Sequence, residues 1–155
     1  MRGITVALLA LASCGYAFSS GASRFPPGAE RVFVRPFENR TTDAEMGALV
    51  ATAVRQELAR RDADGTAGAR ARIEGAVEAS TFGLTVSSGG TSAITLAASA
   101  RLLVDGRVVA ERRSSRTEEY LAGMDPLENE GRRRLALRRA SESVARDLVE
   151  GLEKP

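Results

Sequence analysis
The chain of 155 residues has no histidine, no tryptophan and a single cysteine, and aromatic residues make up only 5% of it. Each absence excludes something. Without histidine there is no imidazole general base, no Ser-His or Cys-His nucleophile pair and no His-ligated metal. One cysteine allows no internal disulfide, so the fold must hold by packing alone. With so few aromatics, the core must be built mainly from Ala, Val and Leu. The acidic residues are scattered on polar faces and form no recognisable catalytic pair, so no enzyme is expected. The net charge is +2, which argues against a nucleic-acid partner. Lys154 is the sole lysine, and the other cations are arginines. A GC-rich genome explains that bias. Guanidinium groups also make forked contacts with phosphate.

What is present starts with a leader. Arg2 supplies a positive head, and Ile4 to Ala12 is an apolar run of nine residues ending in small residues. As a helix it would rise about 14 Å, far short of a bilayer core of roughly 30 Å. It therefore reads as a signal peptide over residues 1–13. Leu11-Ala12-Ser13-Cys14 is similar to a bacterial lipobox. In that reading the Cys14 thiol carries diacylglycerol, Cys14 becomes the first mature residue, and its amine takes an N-acyl chain. A general secretory signal with an incidental cysteine is the alternative. No cofactor is expected beyond these covalent lipids. Two or three acyl chains anchor far better than one, because each buried CH₂ adds about 0.8 kcal/mol. Gly15 stands where an aspartate would retain a lipoprotein in the inner membrane, which favours the outer membrane.

Residues 14–28 are rich in Gly, Ser and Pro and read as a lipidated tether. Residues 29–155 suit one domain. Within it, Glu30 to Phe37 reads as a short strand closed by Pro36. Glu38 to Thr41 reads as a turn. Thr42-Asp43-Ala44-Glu45 matches a capping box that opens a helix. Met46, Leu49, Val50, Ala53, Val54 and Leu58 form its apolar stripe. Ala69 to Ser80 alternates as a half-buried strand, with Ile73, Val77 and Ala79 on the inner face. Residues 82–92 read as a Gly/Ser/Thr-rich hairpin tip. Ala93 to Val104 alternates again, and Asp105-Gly106 signals a primed two-residue turn. Arg107 to about Tyr120 is polar enough to be an edge strand. Residues 122–129 read as a loop containing Pro126. A last helix then runs from about Glu128 to Leu152. Its stripe is Leu137, Ala140, Val144, Leu148 and Leu152, and the arginines crowding residues 132–139 read as a solvated face.

The expected fold class is α+β, in the order β-α-β-β-β-α. It is a two-layer sandwich with both amphipathic helices on one face of a four-stranded, mostly antiparallel sheet. The other sheet face would be polar, with Arg70, Arg72 and Arg101 clustered on neighbouring strands.

Several segments carry a resemblance. Cys14-Gly15-Tyr16-Ala17-Phe18, Pro26-Pro27-Gly28, the strand leading into Phe37-Glu38-Asn39-Arg40-Thr41, and Glu118-Glu119-Tyr120 after the last strand stand in this order. Together with the element order, they resemble the LptE family of lipopolysaccharide-assembly lipoproteins. The resemblance implies a non-catalytic outer-membrane lipoprotein, lipid-anchored at the periplasmic face. Its partners would be an LptD-like outer-membrane β-barrel, which it plugs and helps to assemble, and lipopolysaccharide. Arg70, Arg72 and Arg101 are the residues that could meet the phosphates of such a glycolipid. The competing reading is another envelope lipoprotein acting by protein–protein contact, such as a peptidoglycan-synthase activator or a secretion-channel component. A pore-former would need membrane hairpins that this chain lacks. An activator generally carries a longer tether than residues 15–28, which span at most about 50 Å.

Overall fold
A computed structural model describes residues 25–85 and 90–153 of the chain. The expected signal peptide, Cys14 and most of the tether lie outside the described residues. The elements are β1 (Val32–Val34), β2 (Glu38–Asn39), α1 (Met46–Arg60), β3 (Ala71–Thr85), β4 (Thr91–Val104), β5 (Arg107–Leu121) and α2 (Pro126–Glu153). β3, β4 and β5 form an antiparallel meander, and β1 lies parallel beside β3. The expected edge position of β5 is correct.

The sheet differs from the expectation in having five strands and mixed direction. Pro36 cannot donate to a ladder, so the first strand breaks there. It resumes as β2, parallel to β3, with Glu38 opposite Ala76 and Asn39 opposite Val77. The first half of the segment expected as a turn is thus a second short strand, and the chain bends after it. Phe37, between the two pieces, turns inward and is buried. Its ring sits where a side chain on Gly75 would be, since a Cβ there would lie 2.3 Å from Phe37 Cε1.

The expected capping box does not form. α1 begins at Met46, with Glu45 in the cap position making no side-chain bond. Asn39 organises the approach instead. Its amide donates to the Asp43 carbonyl at 2.7 Å, and its Oδ1 accepts from the Thr41 amide at 3.0 Å and hydroxyl at 2.8 Å. Gly47 then passes close to β1–β2, because a Cβ on it would lie 2.5 Å from the Phe37 carbonyl oxygen.

β3 runs five residues beyond its expected end. A register shift between Val77 and Ala79 inserts Glu78 as an extra residue. Thereafter Ala79 pairs with Ala97 and Ser80 with Leu96, so Ala79 lies on the opposite face from the one expected. Asp105 and Gly106 have φ of 50° and 81°, as the primed turn requires. α2 starts two residues before the expected position. Pro126 opens its first turn, where a missing N–H costs nothing. Asp125 Oδ1 accepts from the amide of Leu127 at 2.7 Å and from that of Glu128 at 3.3 Å.

α1 lies against β1, β2 and β3, and α2 against β4 and β5, with the two helices touching. Alternate residues of β4, from Ser92 to Leu102, are buried. Those from Ile94 to Leu102 join Ile73, Val50, Val54, Leu148 and Leu152 in one cluster made mostly of small and aliphatic side chains. No described element covers the other sheet face.

Candidate functional site
The uncovered face carries charges that answer one another. Arg35 Nη1 bonds Glu74 Oε1 at 3.1 Å, and Arg72 Nε bonds the same oxygen at 2.9 Å. The two guanidinium groups hold the Glu74 carboxyl below its usual range, Arg72 contributing most. Ser99 donates to Glu78 at 2.8 Å, and Arg113 lies 3.9 Å from the same carboxylate. Arg101 stands opposite Glu74 on one side and Glu111 on the other. All of these but Arg72 line an open groove of about 530 Å³ over Gly75, Ala76 and Ala100.

The three arginines singled out from the sequence therefore have different situations. Arg70 is not in a strand. It sits just before β3 and forms a forked pair with Asp105 of the β4–β5 turn. Arg72 belongs to the Glu74 pair. Arg101 is exposed and makes no ion pair within 4.0 Å among the described residues. Arg72 and Arg101 share a face, and Arg70 does not join them.

A second surface was not legible in the sequence. At the far end of the sheet, where Thr91 pairs with Leu121, the β5–α2 connection is unusually apolar and exposed. Leu121, Met124, Leu127 and Leu135 are all at the surface, Met124 and Leu127 almost fully so. Beside them a cleft of about 330 Å³ runs between Tyr120, Leu121, Leu135 and Ala136, with Arg132 and Arg139 on its rim. Arg132 is tied to Glu128 and donates to the Leu121 carbonyl at 3.0 Å. Arg138 and Arg139 are exposed and make no ion pair among the described residues. The signal was present in Leu121, Met124, Leu127 and Leu135, but their spacing fits neither a helical stripe nor a strand alternation.

The chain is similar to known proteins over nearly all of this structure. The lipopolysaccharide-assembly family LptE matches residues 29–152. The chain belongs to the LptE family. It is thereby assigned to lipopolysaccharide assembly, as the resemblance had implied. No curated protein sequence matches it. Among solved structures, a candidate lipoprotein from Caulobacter crescentus is similar at 18% identity and a TM-score of 0.62, covering 81% of this chain and 90% of its own. The PelC dodecamer from Paraburkholderia phytofirmans is similar at 17% and 0.54, covering 86% and 91%. The rare lipoprotein B from Shewanella oneidensis is similar at 12% and 0.50, covering 74% and 90%. At these identities the likeness is one of fold: an α+β domain with two helices on a mixed sheet.

Proposed function
We propose that this LptE-family protein is a non-catalytic outer-membrane lipoprotein. It is anchored through Cys14, seats in and helps assemble an LptD-like β-barrel, and assists delivery of lipopolysaccharide to the outer leaflet. The observation that carries this reading, beyond family membership, is the polarity of the domain along its length. The chain arrives from the tether at the end where Val32 pairs with Ala71 and Ala71 with Val104. The exposed leucines and Met124 lie at the opposite end, beyond the 15 residues of β3. At about 3.3 Å per residue that distance is roughly 45–50 Å. It exceeds the apolar band of an outer-membrane barrel, about 25 Å tall. A domain tethered at the periplasmic mouth and standing along the barrel axis thus carries its apolar, arginine-rimmed end through the wall's height. Acyl chains suit the leucines, and phosphates suit Arg139 on the rim of the cleft.

Arg70 and Arg72 already have carboxylate partners, so the uncovered face does not support a phosphate site as strongly as the far end does.

Affinity purification of the full-length, tagged precursor from detergent-extracted envelopes tests the reading. A large outer-membrane β-barrel is expected to come with it. Recovery of a peptidoglycan synthase, or of a ring of the protein alone, would contradict it.

A further inference from the structure
We infer that the uncovered sheet face, and not the helical face, is the surface that packs against the inner wall of the barrel partner. The inference rests on the barrel reading above and names the side of the domain that meets the wall. Three observations point to it.

The first is area. β3, β4 and β5 run side by side for 14 or 15 residues each, with β1 and β2 along one edge. At strand spacings of about 4.8 Å and rises of about 3.3 Å, the face measures roughly 700–900 Å². That matches one partner's share, about 800 Å², of a standard stable interface.

The second is relief. Along the middle of the face, β4 presents Ala93, Thr95, Ala97 and Ser99. Ala79 and Thr117 flank them on the neighbouring strands. Small side chains let another sheet approach to the usual face-to-face distance of about 10 Å. Their hydroxyls can serve a polar wall, and Thr95 and Thr117 already bond one another at 2.8 Å.

The third is charge. Arg35, Arg72 and Arg113 are matched on the face itself by Glu74 and Glu78, and Arg101 faces Glu111 across the ladder. Four arginines set against three glutamates, most of them paired, leave little free charge for an anionic lipid surface. The face complements a partner whose side chains are polar and of both signs. The lumen of an outer-membrane barrel is such a surface, because each strand alternates apolar residues outward with polar residues inward. The outward side of α2, in contrast, carries the exposed Arg138, Arg139 and Arg146 on a convex surface.

Photo-cross-linking in cells tests the assignment. Benzoylphenylalanine is placed in the full-length chain at Thr95, Ser99 or Thr117 on the sheet face, and at Arg138 or Arg146 on the helix. Each variant is first purified to show that it still recovers the barrel. The sheet-face positions are expected to cross-link to the barrel several-fold more strongly than the helical ones. Equal or stronger cross-linking from the helix would overturn the inference. So would cross-links from the sheet face to a second copy of the chain, and so would variants that recover the barrel without cross-linking from any sheet-face position. If the unmodified protein recovers no barrel at all, it is the parent reading that fails.

Discussion

Arg61 joins the C-terminal ends of the two helices. Its guanidinium meets Glu57 at 2.7 Å and Glu153 at 2.6 Å, and Glu150 lies 3.5 Å away. Glu57 and Glu153 are buried. Burial pushes the Glu57 carboxyl up, but hydrogen bonds from Arg61 and Arg60 outweigh it and leave the group below its usual range. Removing the shared cation would leave the buried Glu153 without its ion-pair partner and the buried Glu57 with only the more exposed Arg60. Breaking a buried pair on one side is far more costly than losing a surface pair. Arg61→Ala should therefore destabilise the domain by about 2–4 kcal/mol, read from the denaturant midpoint. Arg70→Ala, at the exposed pair with Asp105, should change that midpoint little. The sequence hid this cluster. Glu57 lies on the apolar stripe one residue from Leu58, and nothing in the spacing shows that Arg61 will fold back to meet it along with a residue 92 positions away.

The same carboxylates set the acid limit of the fold. Glu57, Glu74 and Asp147 are all held below their ordinary values in the folded protein. For depressed carboxyls the stabilisation is complete above the unfolded values, 4.5 for glutamate and 3.8 for aspartate, and is lost as pH falls through the lowered folded values. No histidine titrates near neutrality. The unfolding midpoint should thus be flat from about pH 5 to 8 and fall progressively in more acid solution. A midpoint that moved between pH 6 and 7 would contradict this.

At the scale of elements, the long regular pieces were legible because their periods are simple. β4 alternates from Ser92 to Leu102, and the stripe of α2 from Leu137 to Leu152 is buried as expected. The misreadings fall where one residue resets the pattern. The bulge at Glu78 reverses the alternation of β3. Pro36 splits the first strand, and Asn39 orders the approach to α1 through Thr41 and Asp43 while Thr42 caps nothing. Each depends on a tertiary partner, and local spacing does not show it. The charged edge strand is also more than solvated. Its alternate residues turn under the sheet, where Asp147 of α2 accepts from Ser114 at 2.7 Å and from both sides of the Arg116 fork at 2.6 and 2.7 Å. Asp147 thereby clamps β5 to α2. Asp147→Ala should cost about 1–2 kcal/mol. It should also speed hydrogen exchange at the amides of β5 more than at those of β3. Equal protection on both strands would show that the clamp does nothing local.

For the whole molecule, the sequence indicated family and fold class, while the position of the working surfaces needed the structure. Arg70, Arg72 and Arg101 looked like one cluster in the alternation. In the fold, Arg70 pairs with Asp105 away from the other two and Arg72 pairs with Glu74, so of the three only Arg101 lacks an ion pair among the described residues. Changing all three to Ala should leave lipopolysaccharide binding by the purified protein unaltered. A several-fold loss would return the phosphate site to that face. The apolar end, with Met124 and Leu127 projecting and Arg139 on the rim of the cleft, is the surface proposed to meet the glycolipid.

The central claim is that this LptE-family protein works in placing lipopolysaccharide on the cell surface. The most direct test is to deplete it in living cells and follow newly made lipopolysaccharide with a surface-applied antibody. Surface labelling is expected to fall while the glycolipid accumulates inside, and resupply of the protein should restore it. Undiminished surface labelling after complete depletion would contradict the account.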